Sequence, residues 1–200
     1  MIKIKSVLSL FLWGMLFSGC VGIDDLSHEN YRKGILYIRD FSNETLAVLP
    51  MVARGESRRY VQPAEAIFFK ALTEMRQSMR LISPEENLAK IRMEGLDSDF
   101  ERFQQETSFK KVSKEKDLAD LRKTLETRFV LQTELQQVET IEGATHIRLQ
   151  GRLWDIELGD IIWEGTGEAR GYLFLFFPRV PASFEKAVEV ASRGLIRKLP

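Results

Sequence analysis

At Phe129 the apolar residues of this chain stop recurring at helical spacing and begin to alternate, and that change of period restricts the fold more than any other feature. The stretch "RFVLQTELQQVET" alternates through Phe129, Leu131, Thr133 and Leu135. "ATHIRLQGRLWDIEL" continues through Ile147, Leu149 and Gly151, then slips phase near Leu153 and Trp154, which predicts a bulge. Gly159-Asp160 reads as a two-residue hairpin turn of Gly-X type leading into a strand with Ile161 to Trp163. Three antiparallel strands in succession follow, with one face for a core and one for polar side chains.

Helices precede and follow these strands. In "PAEAIFFKALTEMRQSMR" the residues Ala64, Ile67, Phe68, Ala71, Leu72, Met75 and Met79 line one helical face, with Pro63 placed for the first turn. "LISPEENLAKIRMEG" predicts a brief strand at Arg80 to Ile82. Ser83 then caps a helix, with Pro84 in its first turn, Glu86 completing a capping box and Gly95 as the stop. "LDSDFERFQQ" and "KEKDLADLRKTLETR" predict two shorter helices, the latter with Leu118, Leu121 and Leu125 on one side. Ser183 caps a last helix that turns Ala187, Val188, Ala191, Leu195 and Ile196 inward. Upstream, Ile35 to Ile38 has the length and composition of a first strand. The stretch "FSNETLAVLPMVARGESRRYVQ" reads as a long mobile loop, whose Arg54, Arg58 and Arg59 are either solvated charges or a grip for an anionic partner. The order predicts an α+β fold: a single, mostly antiparallel sheet with helices packed on one side.

The start of the chain speaks to location. Lys3 and Lys5 precede an apolar run from Val7 to Phe17, and the small residues Ser18 and Gly19 precede Cys20, the only cysteine. That is the order of a secretory signal, and its apolar part is shorter than the ~20 residues of a permanent span. Ending on Ser-Gly-Cys, it resembles the bacterial lipobox, although Phe17 stands where Leu is usual. The resemblance implies that Cys20 is acylated, palmitate included, and becomes the first residue of the mature chain. A single cysteine forms no internal disulfide, which suits thioether attachment. Val21, rather than Asp, after the cysteine implies the outer membrane by analogy with enterobacterial sorting. The expected organisation is therefore a signal peptide at 1–19, a lipidated flexible tether at 20–33 and a periplasmic domain at 34–200. Without the first 19 of 200 residues, 181 remain, enough for one core. The mature balance of 27 basic to 29 acidic residues, after Lys3 and Lys5 are removed, lacks the basic surplus of a nucleic-acid binder.

A strand before "FSNET", a long helix, the "LISPEEN" strand-to-helix step and the "LQGRLWDIELGDIIWEG" hairpin together resemble one fold family. Its members include the N-terminal domain of TolB, the curli-secretion lipoprotein, the lipoproteins that activate penicillin-binding proteins and those of Pel polysaccharide export. The resemblance covers roughly residues 33 to 199. Its hairpin pattern, a strand ending in Asp, a Gly-containing turn and a strand with Trp, falls on Asp155, Gly159 and Trp163. The motifs are structural, and the family's functions are diverse. The curli channel carries two long hairpins that build a membrane barrel, whereas this chain has the short turn "ETIEGAT" and the segment "GYLFLFFPRVP". A spanning hairpin needs two strands of ~9 to 11 residues, so a barrel of that type is not expected.

Tyr172 to Phe177 includes Tyr172, Phe174, Phe176 and Phe177. The segment reads either as an edge strand or core plug, or as an aromatic patch for a partner subunit or the lipid headgroups. No catalytic or metal grouping emerges. His28 and His146 have no zinc spacing around them, and no Gly-x-Ser-x-Gly elbow is present. Asp155, Glu157 and Asp160 lack calcium-loop spacing. Glu164 to Glu168 lacks the lysine and following helix of a phosphate loop. No enzyme, cofactor or metal is expected. The expectation is a lipid-anchored protein that binds other envelope proteins, either as a self-assembling homo-oligomeric collar or accessory in secretion or envelope assembly, or as a monomeric activator of a periplasmic enzyme such as a cell-wall synthase.

Overall fold

The computed structural model describes residues 23–33, 44–107, 115–141, 143–173 and 180–200. In chain order the first elements are β1 (Ile23–Asp25), β2 (His28–Arg32), β3 (Thr45–Val48), β4 (Val52–Ala53) and a 3-10 helix (Gly55–Tyr60). They are followed by α1 (Val61–Met75), β5 (Arg80–Ile82), α2 (Pro84–Met93), α3 (Asp97–Thr107) and α4 (Glu115–Leu125). The chain continues with β6 (Phe129–Ile141), β7 (Ala144–Asp155), β8 (Asp160–Leu173), β9 (Val180–Pro181) and α5 (Phe184–Lys198).

One mixed sheet runs in the order β1-β8-β7-β6-β3-β5, with β2 and β9 also on β8 and β4 on β6. Pairing is antiparallel everywhere except around β3 and β4: β3 runs parallel to β5 and β6, and β4 parallel to β6. The fold is α+β with a mostly antiparallel sheet, as the change of period implies. Along β7 and β8 the helical layer is α5, with α1 beside it. Their apolar faces meet Phe129, Leu131, Ile147, Leu149, Leu153 and Trp163 in the main core. At the β3 end a second, smaller cluster forms where Ile91, Phe103, Leu121 and Leu125 pack on Ala47, Leu49, Val130 and Trp154.

Several local readings hold in detail. The register shifts between Leu153 and Trp154, where the alternation slips phase. The Ser83 hydroxyl accepts from Glu86 N at 3.2 Å and the Ser183 hydroxyl from Lys186 N at 3.3 Å, so both helices start at their serines. The five α5 residues expected to face inward are all buried.

Other readings are corrected. The expected mobile loop contains β3, whose Leu46, Ala47 and Val48 are buried. Leu46 and Val48 enter the main core while Ala47 and Leu49 enter the second, so the run is apolar throughout and shows no alternation. The expected flexible tether at 20–33 contains β1 and β2, both paired antiparallel with β8. The β7–β8 connection is a four-residue loop, 156–159, closed by the pair Asp155 and Asp160, with Gly159 at φ 70°. A turn of this length needs the left-handed residue at its end, which is why glycine stands there. The first strand expected at Ile35 to Ile38 lies outside the described residues.

Packing α5 this close to the sheet depends on small residues beneath it. A Cβ on Gly167 would lie 2.2 Å from the carbonyl oxygen of Ala191, and one on Gly165 would lie 2.4 Å from the Trp163 ring. Beside this core, Glu65 of α1 is half-buried and accepts from the backbone N–H of Met51. Burial pushes its carboxyl above the ordinary 4.5, and the nearby Glu85 adds to the shift against the Met51 hydrogen bond. A raised acid contributes stability that is present below its ordinary value and lost as pH rises through its folded value. Glu65→Gln keeps an acceptor for Met51, so its Tm will exceed that of the parent at pH 7 and converge with it below pH 4.5. An advantage independent of pH would contradict this.

Candidate functional site

The residues singled out in the sequence fall into three places. Cys20, Phe174, Phe176 and Phe177 lie outside the described residues. The backbone of Tyr172 is the penultimate position of β8, opposite Pro181, and Leu173 lies opposite both Val180 and Ile23. The three arginines do not converge. Arg54 Nε lies 3.6 Å from Glu134 on the sheet. Arg58 and Arg59 are exposed on the 3-10 helix, with the Arg59 guanidinium 4.8 Å above the Tyr60 ring. His28 is exposed on β2 and His146 half-buried on β7. Among the described residues no cluster of three or more His, Cys, Asp or Glu side chains is placed to hold a metal ion.

What the structure does bring together is a polar face on the side of the sheet away from α5. Antiparallel register aligns Gln132 with Arg152 and Arg152 with Glu164, and likewise Glu134 with Gln150 and Gln150 with Thr166. Arg152, 5% exposed, is the centre. Its Nε donates to Glu164 Oε2 at 3.2 Å and its Nη2 to Gln150 Oε1 at 2.8 Å, while Nη1 lies 3.8 Å from Glu134. Gln136 donates to Gln150 at 2.7 Å and Trp154 Nε1 to Gln132 at 3.3 Å. At the β8 side, Asn30 donates to the Thr166 hydroxyl at 3.0 Å. Buried charges persist only when paired and hydrogen-bonded, and here opposite charges alternate across the strands. Slipping the register by one residue would put Arg152 into the core, so the network specifies pairing. It offers opposed charges, each with its counter-charge, and no nucleophile beside a base. The sequence signal for it was available in the like-parity polar residues of three successive strands, read across rather than along them.

A second cluster closes the β7–β8 hairpin. Asp155 is fully buried; its Oδ1 accepts from the N–H of Glu157 at 3.1 Å and of Leu158 at 3.3 Å, while Oδ2 accepts from Arg128 at 2.7 and 2.9 Å. The Asp155 hydrogen bond is the main reason the Arg128 guanidinium is held above its ordinary pKa. Asp155, Gly159 and Trp163 thus stand in structural roles: carboxylate cap, left-handed turn residue and buried core ring. Asp155→Ala will cost ~2 kcal/mol in urea unfolding, less than the 3–5 of a wholly buried broken pair because Arg128 keeps solvent contact. Asp155→Asn retains the turn acceptor and will cost roughly half as much. Equal costs would refute the turn-capping role.

The third arrangement is the N-terminal strap formed by β1 and β2. Leu26 N donates to Glu168 O at 2.9 Å, Lys33 N to Ile162 O at 2.9 Å and Glu168 N to Ser27 Oγ at 3.1 Å. Trp163 Nε1 donates to Glu29 Oε2 at 3.2 Å, and Arg197 near the end of α5 pairs with Asp25. The strap crosses α5 at Gly194, where a Cβ would lie 2.0 Å from Ser27 Oγ and 2.4 Å from Asp25 Oδ1.

No protein-family model matches this chain, and no curated protein matches it. Solved structures do. The PelC dodecamer from Paraburkholderia phytofirmans, in two crystal forms, is 12% and 13% identical, with TM-scores of 0.51 and 0.50 over 86% of this chain and 96% of that chain. The fold is PelC-like. Lipoprotein GNA1162 from Neisseria meningitidis is 15% identical, with a TM-score of 0.47 over 64% of this chain and 80% of that chain. E. coli LpoB is 17% identical, with a TM-score of 0.41 over 63% of this chain and 56% of that chain. The PelC likeness falls within the fold family that the strand-to-helix step and the hairpin resemble. Among the described residues no helix is long and apolar enough to cross a membrane.

Proposed function

We propose that this protein is an outer-membrane lipoprotein, anchored through Cys20 and facing the periplasm, that works without catalysis by assembling with other envelope proteins and with copies of itself. The observation that carries the reading is the extent of the PelC likeness, 86% of this chain and 96% of that chain, to a protein whose solved form is a dodecamer. The polar sheet face supports it: its charges are opposed to one another and tie the strands together, as in a scaffold. In this reading residues 1–19 are removed on export, and Tyr172, Phe174, Phe176 and Phe177 form the contact with lipid or a neighbouring subunit. Exposed Arg58 and Arg59 contribute to partner binding, with Arg54 turned toward the sheet.

The test is the native mass of a soluble chain beginning at Val21, measured by light scattering after chromatography. One closed assembly many times the monomer mass is the expected result. A clean monomer would overturn self-assembly of the unanchored chain and favour action on a separate periplasmic partner. Radiolabelled palmitate incorporation, abolished by Cys20→Ala, tests the anchor.

A further inference from the structure

The strap and the lipid site together orient the molecule. Three residue steps separate Cys20 from Ile23, which is at most ~10 Å of extended chain. Ile23 is already paired with Leu173 at the end of β8. The strap cannot drift, because Asp25 is held by Arg197 and Ser27 by the Glu168 N–H, and both sit on the bare backbone of Gly194.

The end of the sheet that this pairing selects differs from the opposite end. It holds the β6–β7 tip, with Ile141 45% exposed and Gly143 exposed, and the exposed Pro181 of β9. Tip and β9 are neighbours: a Cβ on Gly143 would lie 3.7 Å from Pro181 Cγ, and β8 passes so close to Thr145 that only Gly171 fits there. The sequence places Glu142 between Ile141 and Gly143, and the flanking charges at this end include the exposed Glu139 and Arg170. The opposite end carries three ion pairs, Lys33 on Asp160, Arg122 on Glu157 and Arg128 on Asp155, around an exposed Leu158. What separates the two ends is the lipid attachment point, three residue steps from the Ile23 pairing, and an exposed apolar side chain such as Ile141 beside it suits the headgroup boundary.

We infer that the β6–β7 tip and β9 rest on the bilayer that holds the lipid, so that the domain stands on the membrane in one fixed orientation with the β7–β8 hairpin pointing away. The inference rests on lipid attachment at Cys20, proposed above. With β8 spanning 14 residues, Leu158 stands ~40 Å from the tip at strand rise.

The experiment uses the full-length, lipidated protein in vesicles of phosphatidylethanolamine and phosphatidylglycerol. Because the Cys20 thiol is consumed by lipid, Ile141→Cys and Leu158→Cys each supply one reactive thiol for a nitrobenzoxadiazole probe. Mass spectrometry establishes the lipid, and flotation establishes vesicle attachment. The expected result is at least a twofold loss of emission at position 141 with doxyl-labelled lipid and no loss at 158. Equal quenching at both positions, or none at 141 in protein that carries lipid and floats, would overturn the orientation while leaving the anchor intact. A chain without lipid would overturn both. Gly194→Val, which displaces Ser27 and Asp25, should keep flotation and erase the contrast between the two positions; a contrast that survives it refutes the strap as the cause.

Discussion

A chain that begins at Gly34 will melt far below one that begins at Val21. The segment removed contributes the Leu26, Lys33 and Ser27 hydrogen bonds to β8, the Asn30–Thr166 and Trp163–Glu29 contacts, and the Arg197–Asp25 pair. At about 0.5–1 kcal/mol each these six sum to ~3–6 kcal/mol, a large part of the ~5–15 that holds a domain together. The loss also strips one edge of β8 and leaves the Trp163 indole N–H without Glu29. An uncovered edge invites pairing between chains, so the shortened protein will aggregate on heating as well. Thermal melts of both chains, followed by circular dichroism, decide the matter. Matching midpoints would mean that 23–33 is dispensable.

Gly167→Val will be harsher than any polar substitution on the sheet. Its Cβ would sit 2.2 Å from the Ala191 carbonyl oxygen and 2.9 Å from Leu195 Cβ. The first of these atoms is helix backbone and cannot rotate away, so α5 must lift from β8 or the strand must bend. Overpacking costs ~1–3 kcal/mol where side chains can adjust, and more where backbone must move. The expected outcome is a protein that unfolds in much less urea, or one that fails to fold at 37 °C. Gly55→Val is a suitable contrast: that position has open space around it and only its φ of 56° resists a side chain. A Gly167 variant as stable as the Gly55 variant would show that α5 is not seated as described.

The elements legible in the sequence were those whose signals are local. Ser83 and Ser183 announce helix starts through their own hydrogen bonds, and the bulge at Leu153 and Trp154 shows as a break in alternation. Strand β3 is enclosed by two cores, so it reads as an unpatterned apolar run next to turn residues, and nothing in four residues separates that from a greasy loop. Strand β2 fails for the opposite reason. "HENYR" is exposed along its length and has no apolar face to alternate with; its fixing comes from partners more than 130 residues away, such as Thr166 and Trp163. The polar network around Arg152 was hidden because its members look like ordinary solvent-facing residues until three strands are laid side by side. For the arginine-bearing stretch, the sequence left solvated charges and a grip on an anionic partner both open, and folding sends Arg54 to Glu134 and Arg59 to Tyr60.

The strap also sets an order of events during biogenesis. Ile23 pairs with Leu173, 150 positions further along the chain. A polypeptide that emerges N-terminus first therefore presents residues 20–33 long before β8 exists to receive the strap. With the lipid attachment proposed above, the acylating enzyme meets the cysteine on an undocked segment, and closure of so long a loop comes late because its entropic cost precedes its reward. Docking of β1 and β2 is thus a finishing step, in which the N-terminal strap zips onto the completed sheet.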